Sequence, residues 1–107
     1  MFDAGFYRDV LPDRVTRECQ GNPLAVPVVN LYLANGTTLD LCHIVDLSEH
    51  WLAVQHFRDT QSCSEMDLAF LPYELVTMVA VSLHHQGTRR LGFSLGETTQ
   101  TGPQTQT

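Results

Sequence analysis

Residues 28–47 read VVNLYLANGTTLDLCHIVDL, two runs of alternating apolar side chains on either side of Asn35-Gly36. Val29, Leu31 and Leu33 alternate with Asn30 and Tyr32, and Leu39 and Leu41 carry the same period on to Val45. A period of two places one set of side chains on one face of a strand. Asn-Gly between two such runs is the best short signal for a hairpin, because both central residues of a type I′ turn need positive φ. The stretch therefore predicts an antiparallel hairpin.

Downstream, WLAVQHF (51–57) reads as a third strand and MDLAFL (66–71) as a fourth. Pro72 interrupts the chain before LVTMVAVSL (75–83), a fifth, and Gly87 can turn it back into RRLGFSL (89–95), a candidate sixth. Upstream, Pro12-Asp13 can start a helix, Val15 and Cys19 share one face of it, and Gly21-Asn22-Pro23 stops it, so a short helix is expected over 12–20. The fold class is mainly β: a small SH3/Sm-like antiparallel barrel of five to six strands behind a short N-terminal helix. Residues 1–95 form this domain. The remainder, GETTQTGPQTQT (96–107), has no core-forming side chain and is expected to be a disordered Thr/Gln-rich tail.

The strands carry more apolar surface than one barrel interior needs. Ile44 and Val45 lie in opposite phase, as do Trp51 and Phe57 against Leu52 and Val54, and Met78 and Ala80 against Val79 and Val81. A solvated antiparallel strand is apolar on one face only. The N-terminal helix can cover part of the surplus and a neighbouring copy the rest, so a homo-oligomer is expected.

The chain has 107 residues, with 12 acids against six positive side chains, all of them arginine, for a net charge of −6. Nucleic-acid affinity rests largely on Lys and Arg neutralising phosphates, so this balance disfavours RNA without excluding a local basic spot. Cys19, Cys42 and Cys63 are widely spaced and form no C-x-x-C, which suits reduced thiols in a cytoplasmic protein. The segment MFDAGFYRDVL lacks the basic and apolar regions of a signal peptide, and no apolar run is long enough to span a bilayer.

The order helix, VNLYLANGTTL, a second strand ending near Asp46, and a last pair around FLPYELVTMVAVS resembles the Sm-like family, and within it the bacterial RNA chaperones of the Hfq type. Val29, Leu31, Leu33, Asn35 and Gly36 match the opening, and Val76-Thr77-Met78-Val79 sits where the last strand belongs. The resemblance spans roughly residues 10–83, and it implies a five-stranded barrel, assembly into a ring and binding of single-stranded RNA. Four departures bear on function. Leu41 replaces a glycine that bends the second strand; the aspartate comes one residue early; Glu49-His50 stand where an asparagine is expected; and Tyr73-Glu74 replace a Lys-His pair that reaches uracil and phosphate. A carboxylate at that place repels phosphate.

Several residues remain as candidates. His50 and Trp51 pair an aromatic with a polar group at a loop, the arrangement that grips single-stranded bases; the bland reading is a core or interface Trp51 and a loop His50. Tyr73 has a ring that can stack on a base or pack on its neighbours. HHQGTRR (84–90) is the basic cluster, with Arg89 and Arg90 able to contact phosphate or an acidic partner across a turn at Gly87. His84 and His85 are adjacent on a strand and would face opposite ways, and no histidine or cysteine has structural-zinc spacing, so no metal or other cofactor is assigned. Neither is a catalytic residue, since no Cys/His or other nucleophile signature is present. VDLSEHW (45–51) resembles the D-x-S-x-x-G element of cyclic-dinucleotide-binding PilZ barrels, but Trp51 occupies the glycine position, and the arginine motif reduces to Arg14 and Arg17. The sequence thus points to a non-catalytic, oligomeric Sm-like binding or scaffold protein. The alternatives are an RNA-binding protein using Trp51, Tyr73 and Arg89-Arg90, and a dinucleotide-binding barrel.

Overall fold

The computed structural model describes residues 1–59, 65–85 and 91–95. A π-helical turn, Phe6–Val10, runs directly into helix α1, Leu11–Gln20, followed by β1 (Ala25–Leu33), β2 (Thr38–Leu47), β3 (Trp51–Phe57), β4 (Met66–Pro72), a 3-10 turn (Tyr73–Leu75) and β5 (Val76–His85). The helical segment starts earlier than the Pro12 signal suggests. Pro12 has no N–H to offer the preceding turn, and there the backbone widens: Leu11 N–H bonds to the Phe6 carbonyl, five residues back. At the other end, Asn22 donates from its backbone N–H to the Cys19 carbonyl and from its side chain to the Glu18 carbonyl, which stops the helix.

The five strands form one antiparallel sheet in the order β4-β3-β2-β1-β5. β2 is shared between its two halves. Thr38–Asp40 pairs with β1, whereas Leu41–Leu47 pairs with β3 through two register shifts, at Leu41/His43 and Ile44/Asp46. Bulges bend a strand and sharpen its twist. They do for this strand what a glycine at position 41 would do, which leaves Leu41 free to be a fully buried core residue.

The β1–β2 hairpin differs from the sequence expectation in its turn. Tyr32 pairs with Thr38, Leu33 N–H bonds to the Thr37 carbonyl, and Gly36 N–H bonds to the Leu33 carbonyl. The loop is therefore Ala34-Asn35-Gly36, three residues rather than two. Gly36 takes the left-handed place at φ 90°, and the Asn35 side chain caps Thr37 N–H at 3.0 Å.

The core joins Leu31, Leu41, Leu52 and Val54 of the sheet to Tyr7, Leu11 and Val15 of the helical segment. The helix thus closes the main core rather than covering the second apolar face. On that second face Val28, Ala53 and Phe57 are buried, while Met78 is exposed. The candidate sixth strand does not form over its described residues, 91–95. Residues 91–95 run as an irregular segment in which Phe93 N–H bonds to the Pro27 carbonyl and Ser94 N–H to the Cys42 carbonyl, delivering the Phe93 ring into the core. Pro27 lies in the part of β1 whose strand partner is β5 alone, so its missing N–H disturbs no pairing with β2. The turn expected at Gly87, Cys63 and the tail at 96–107 lie outside the described residues.

Candidate functional site

The turn between β2 and β3 is built by one hydroxyl. Ser48 Oγ accepts the N–H groups of Trp51 and His50 at 3.1 and 3.3 Å and donates to the Trp51 carbonyl at 3.0 Å. The Asp-x-Ser element is thus a backbone-capping turn. Asp46 itself is exposed and accepts the N–H of the adjacent Leu47. Arg14 and Arg17 form exposed ion pairs with Glu18 and Asp13 along the helix.

His50 and Tyr73 meet at this turn, through the backbone: Tyr73 N–H bonds to the His50 carbonyl. The His50 ring is 85% exposed and lies 3.6 Å from the Glu49 carboxylate. Tyr73 is 2% exposed, its ring stacked on Tyr7 at 5.9 Å and 22°. The base-stacking role considered for it has no exposed ring face to use. Burial pushes its hydroxyl pKa upward, with Asp3 adding to the effect. Trp51 is half-buried and meets the edge of Phe70 at 5.3 Å. Arg89 and Arg90 lie outside the described residues. His84 and His85 are both exposed at the end of β5, where they border an open depression of about 430 Å³ with Asn22 and Leu24. Among the described residues no three His, Cys, Asp or Glu side chains converge as a metal site requires, and no helix is long and apolar enough to cross a membrane.

The most distinctive surface belongs to residues that sequence reasoning placed on a strand but did not single out. β4 is the outermost strand beside β3, and its outward row is Met66, Leu68 and Phe70, exposed by 43, 54 and 61%. Trp51 extends the row onto β3. Alternation in MDLAFL groups Met66, Leu68 and Phe70 on one face, and the burial of Leu71 between exposed Phe70 and Pro72 shows that face to be the outer one. The start of the strand is pinned by Arg58, which reaches Glu65 at 2.8 Å and Asp67 at 2.6 Å across the β3–β4 hairpin. Its guanidinium holds the Asp67 carboxyl below the ordinary carboxylate range.

At the opposite edge, β5 presents Met78, 48% exposed, on its outward row. Its inward residues Val79 and Val81, like Ala69 on β4, pack against the core yet are only partly buried. Neither β4 nor β5 has a second strand partner among the described residues. Among the described residues both ends of the sheet therefore combine an edge without a further strand partner with apolar side chains. Such edges are templates for another strand. No family model matches the chain, and neither a curated protein nor a solved structure matches it.

Proposed function

We propose that this chain is a non-catalytic, self-assembling scaffold of the Sm-like kind, in which the β4 edge of one copy pairs with the β5 edge of the next. The observation that carries this reading is the pair of outermost strands on one bent sheet, each with apolar side chains at its margin. A head-to-tail contact between two different surfaces closes into a ring when its rotation permits. A second copy would seal Ala69, Val79 and Val81 and cover Met66, Leu68 and Phe70, a row of a kind that soluble monomers rarely leave open. The acidic balance, −6, favours protein partners over a phosphate backbone for the finished assembly, and a cytoplasmic setting suits its thiols.

Light scattering coupled to size exclusion tests the assembly, with a mass of about five to seven chains expected for a ring. A monomer at micromolar concentration would overturn the reading.

One observation favours a second reading, single-stranded RNA binding: the exposed His50 ring stands next to the half-exposed Trp51. Oligo-A or oligo-U would then bind with an affinity that falls with salt and weakens in Trp51→Ala. Absence of binding at low salt removes it.

A further inference from the structure

The tip of the β1–β2 hairpin places Asn35 directly before Gly36, and residues 34–38 are all exposed. Asparagine is among the thermolabile residues. Its side-chain carbonyl carbon is open to attack by the backbone nitrogen of the next residue, which closes a five-membered ring. Glycine in that next place has no Cβ to obstruct the approach, and a Cβ added at Gly36 would meet no atom within 4 Å. Two hydrogen bonds of the folded hairpin oppose the attack. Gly36 N–H donates to the Leu33 carbonyl at 3.0 Å, and Asn35 Oδ1 accepts the Thr37 N–H at 3.0 Å. The nitrogen that must lose its proton has that proton engaged, and the carbonyl it must reach is held on Thr37.

We infer that Asn35-Gly36 is a self-modification site that the folded hairpin keeps closed, and that its two products differ in what they do to β5. Hydroxide removes the Gly36 amide proton, the Gly36 nitrogen bonds to Asn35 Cγ, and the Cγ–Nδ2 bond breaks. The side-chain nitrogen takes a proton from water and leaves as ammonia, which regenerates hydroxide. A second water opens the succinimide ring, so the net change is one water consumed and one ammonia released, with no oxidant. Opening at Cγ gives aspartate; opening at the backbone carbonyl carbon gives isoaspartate, whose main chain runs through the side-chain carbons. Aspartate keeps the length of the loop, and its carboxylate can still accept the Thr37 N–H. Isoaspartate adds one methylene to the backbone of a three-residue loop, and loop length fixes the register of a hairpin. The loop is tied in three places: Leu33 N–H to the Thr37 carbonyl, Gly36 N–H to the Leu33 carbonyl, and Ala34 N–H to the Leu75 carbonyl at 2.8 Å. The last bond joins it to the 3-10 turn that leads into β5. Isoaspartate breaks this set and loosens the start of β5. The chemistry is independent of how copies assemble.

The test is to age the full chain at mildly alkaline pH, folded and in guanidinium chloride, and to follow residue 35 by peptide mass spectrometry. Chromatography of the peptides separates aspartate from isoaspartate. A minor open state is populated at about 10% or less, so the folded chain should deamidate at least about tenfold more slowly than the denatured one. Equal rates would show that the two hydrogen bonds close nothing, and an unmodified Asn35 in the denatured chain would dispose of the site. After refolding, the isoaspartate form should exchange the amides of Leu33, Ala34 and Gly36 faster than the parent does. Asn35→Asp should leave both their exchange and the urea midpoint as in the parent. Isoaspartate with the Ala34 amide still protected, or Asn35→Asp with it lost, would overturn the proposed difference between the products.

Discussion

The hydroxyl of Tyr73 donates a 2.6 Å hydrogen bond to the carbonyl of Ser48, and the Tyr73 N–H bonds to the carbonyl of His50. Together these two bonds fasten the 3-10 turn before β5 onto the turn between β2 and β3. Tyr73→Phe keeps the ring against Tyr7 and removes only the hydroxyl bond. Unfolding in urea should show a loss of about 1 kcal/mol. An unchanged midpoint would mean that the bond contributes nothing net.

Alkaline pH should weaken the fold. The hydroxyls of Tyr7 and Tyr73 both have pKa values raised above the ordinary 10.0, in each case chiefly by burial. In the unfolded chain these groups ionise near pH 10 while the folded state keeps its protons, so the folded state binds more protons above that point. Their contribution is therefore complete below about pH 10 and is lost as pH rises further. Urea midpoints between pH 9 and pH 11 should fall, and fall less in Tyr7→Phe. A flat profile would show that neither ring stays protonated in the folded state.

Gly36 is held at φ 90°, and a Cβ added there meets no atom within 4 Å. The cost of Gly36→Ala is then conformational alone, about 1 kcal/mol. Thermal or urea unfolding should report it with the secondary structure unchanged by circular dichroism.

Gly92 is the opposite case, since it is space rather than backbone angle that demands glycine. An added Cβ would overlap the Pro27 carbonyl and crowd the Val26 side chain. Relieving that overlap pulls Phe93 out of the core, and Gly92→Ala should lose about 1–3 kcal/mol. Hydrogen exchange should locate the damage at the amides of Phe93 and Ser94, which donate to the Pro27 and Cys42 carbonyls.

Trp51 is the only tryptophan and lies against Phe70 beside the exposed row of β4. If copies join at this edge, emission should move to the red on dilution as Trp51 becomes hydrated. Leu68→Lys should show the red-shifted emission at every concentration, together with a monomer mass. Because Leu68 is 54% exposed, the substitution should change monomer stability by no more than about 0.5 kcal/mol. Emission independent of both concentration and Leu68 would argue against the β4 contact.

Much of the architecture was legible because it follows from side-chain period. Val29, Leu31, Leu33 and Leu41 are buried as the alternation requires, and β3 spans the residues that WLAVQHF marks. Details governed by backbone geometry were not visible. Asn35-Gly36 signals a turn, but whether the loop holds two residues or three depends on how β1 and β2 align, and Ala34 carries no signal either way. Phe93 looked like a strand residue because an apolar side chain between Gly92 and Ser94 fits either role; its docking on Pro27 is a tertiary event. For the candidate site the missing information was likewise long-range. Tyr73 reads as an available aromatic until Tyr7, from the far end of the chain, is laid on its ring. The exposed row Met66, Leu68, Phe70 reads as ordinary strand alternation until β4 is known to be outermost, because period alone does not say which apolar face meets solvent.

The docking of Phe93 also sets a schedule for folding. This residue comes after all five strands in the sequence, yet it completes the cluster begun by Tyr7 and Leu11. A chain built only as far as β5 carries every strand but an incomplete core, and that core closes only when the residues after β5 fold back onto the Pro27 and Cys42 carbonyls.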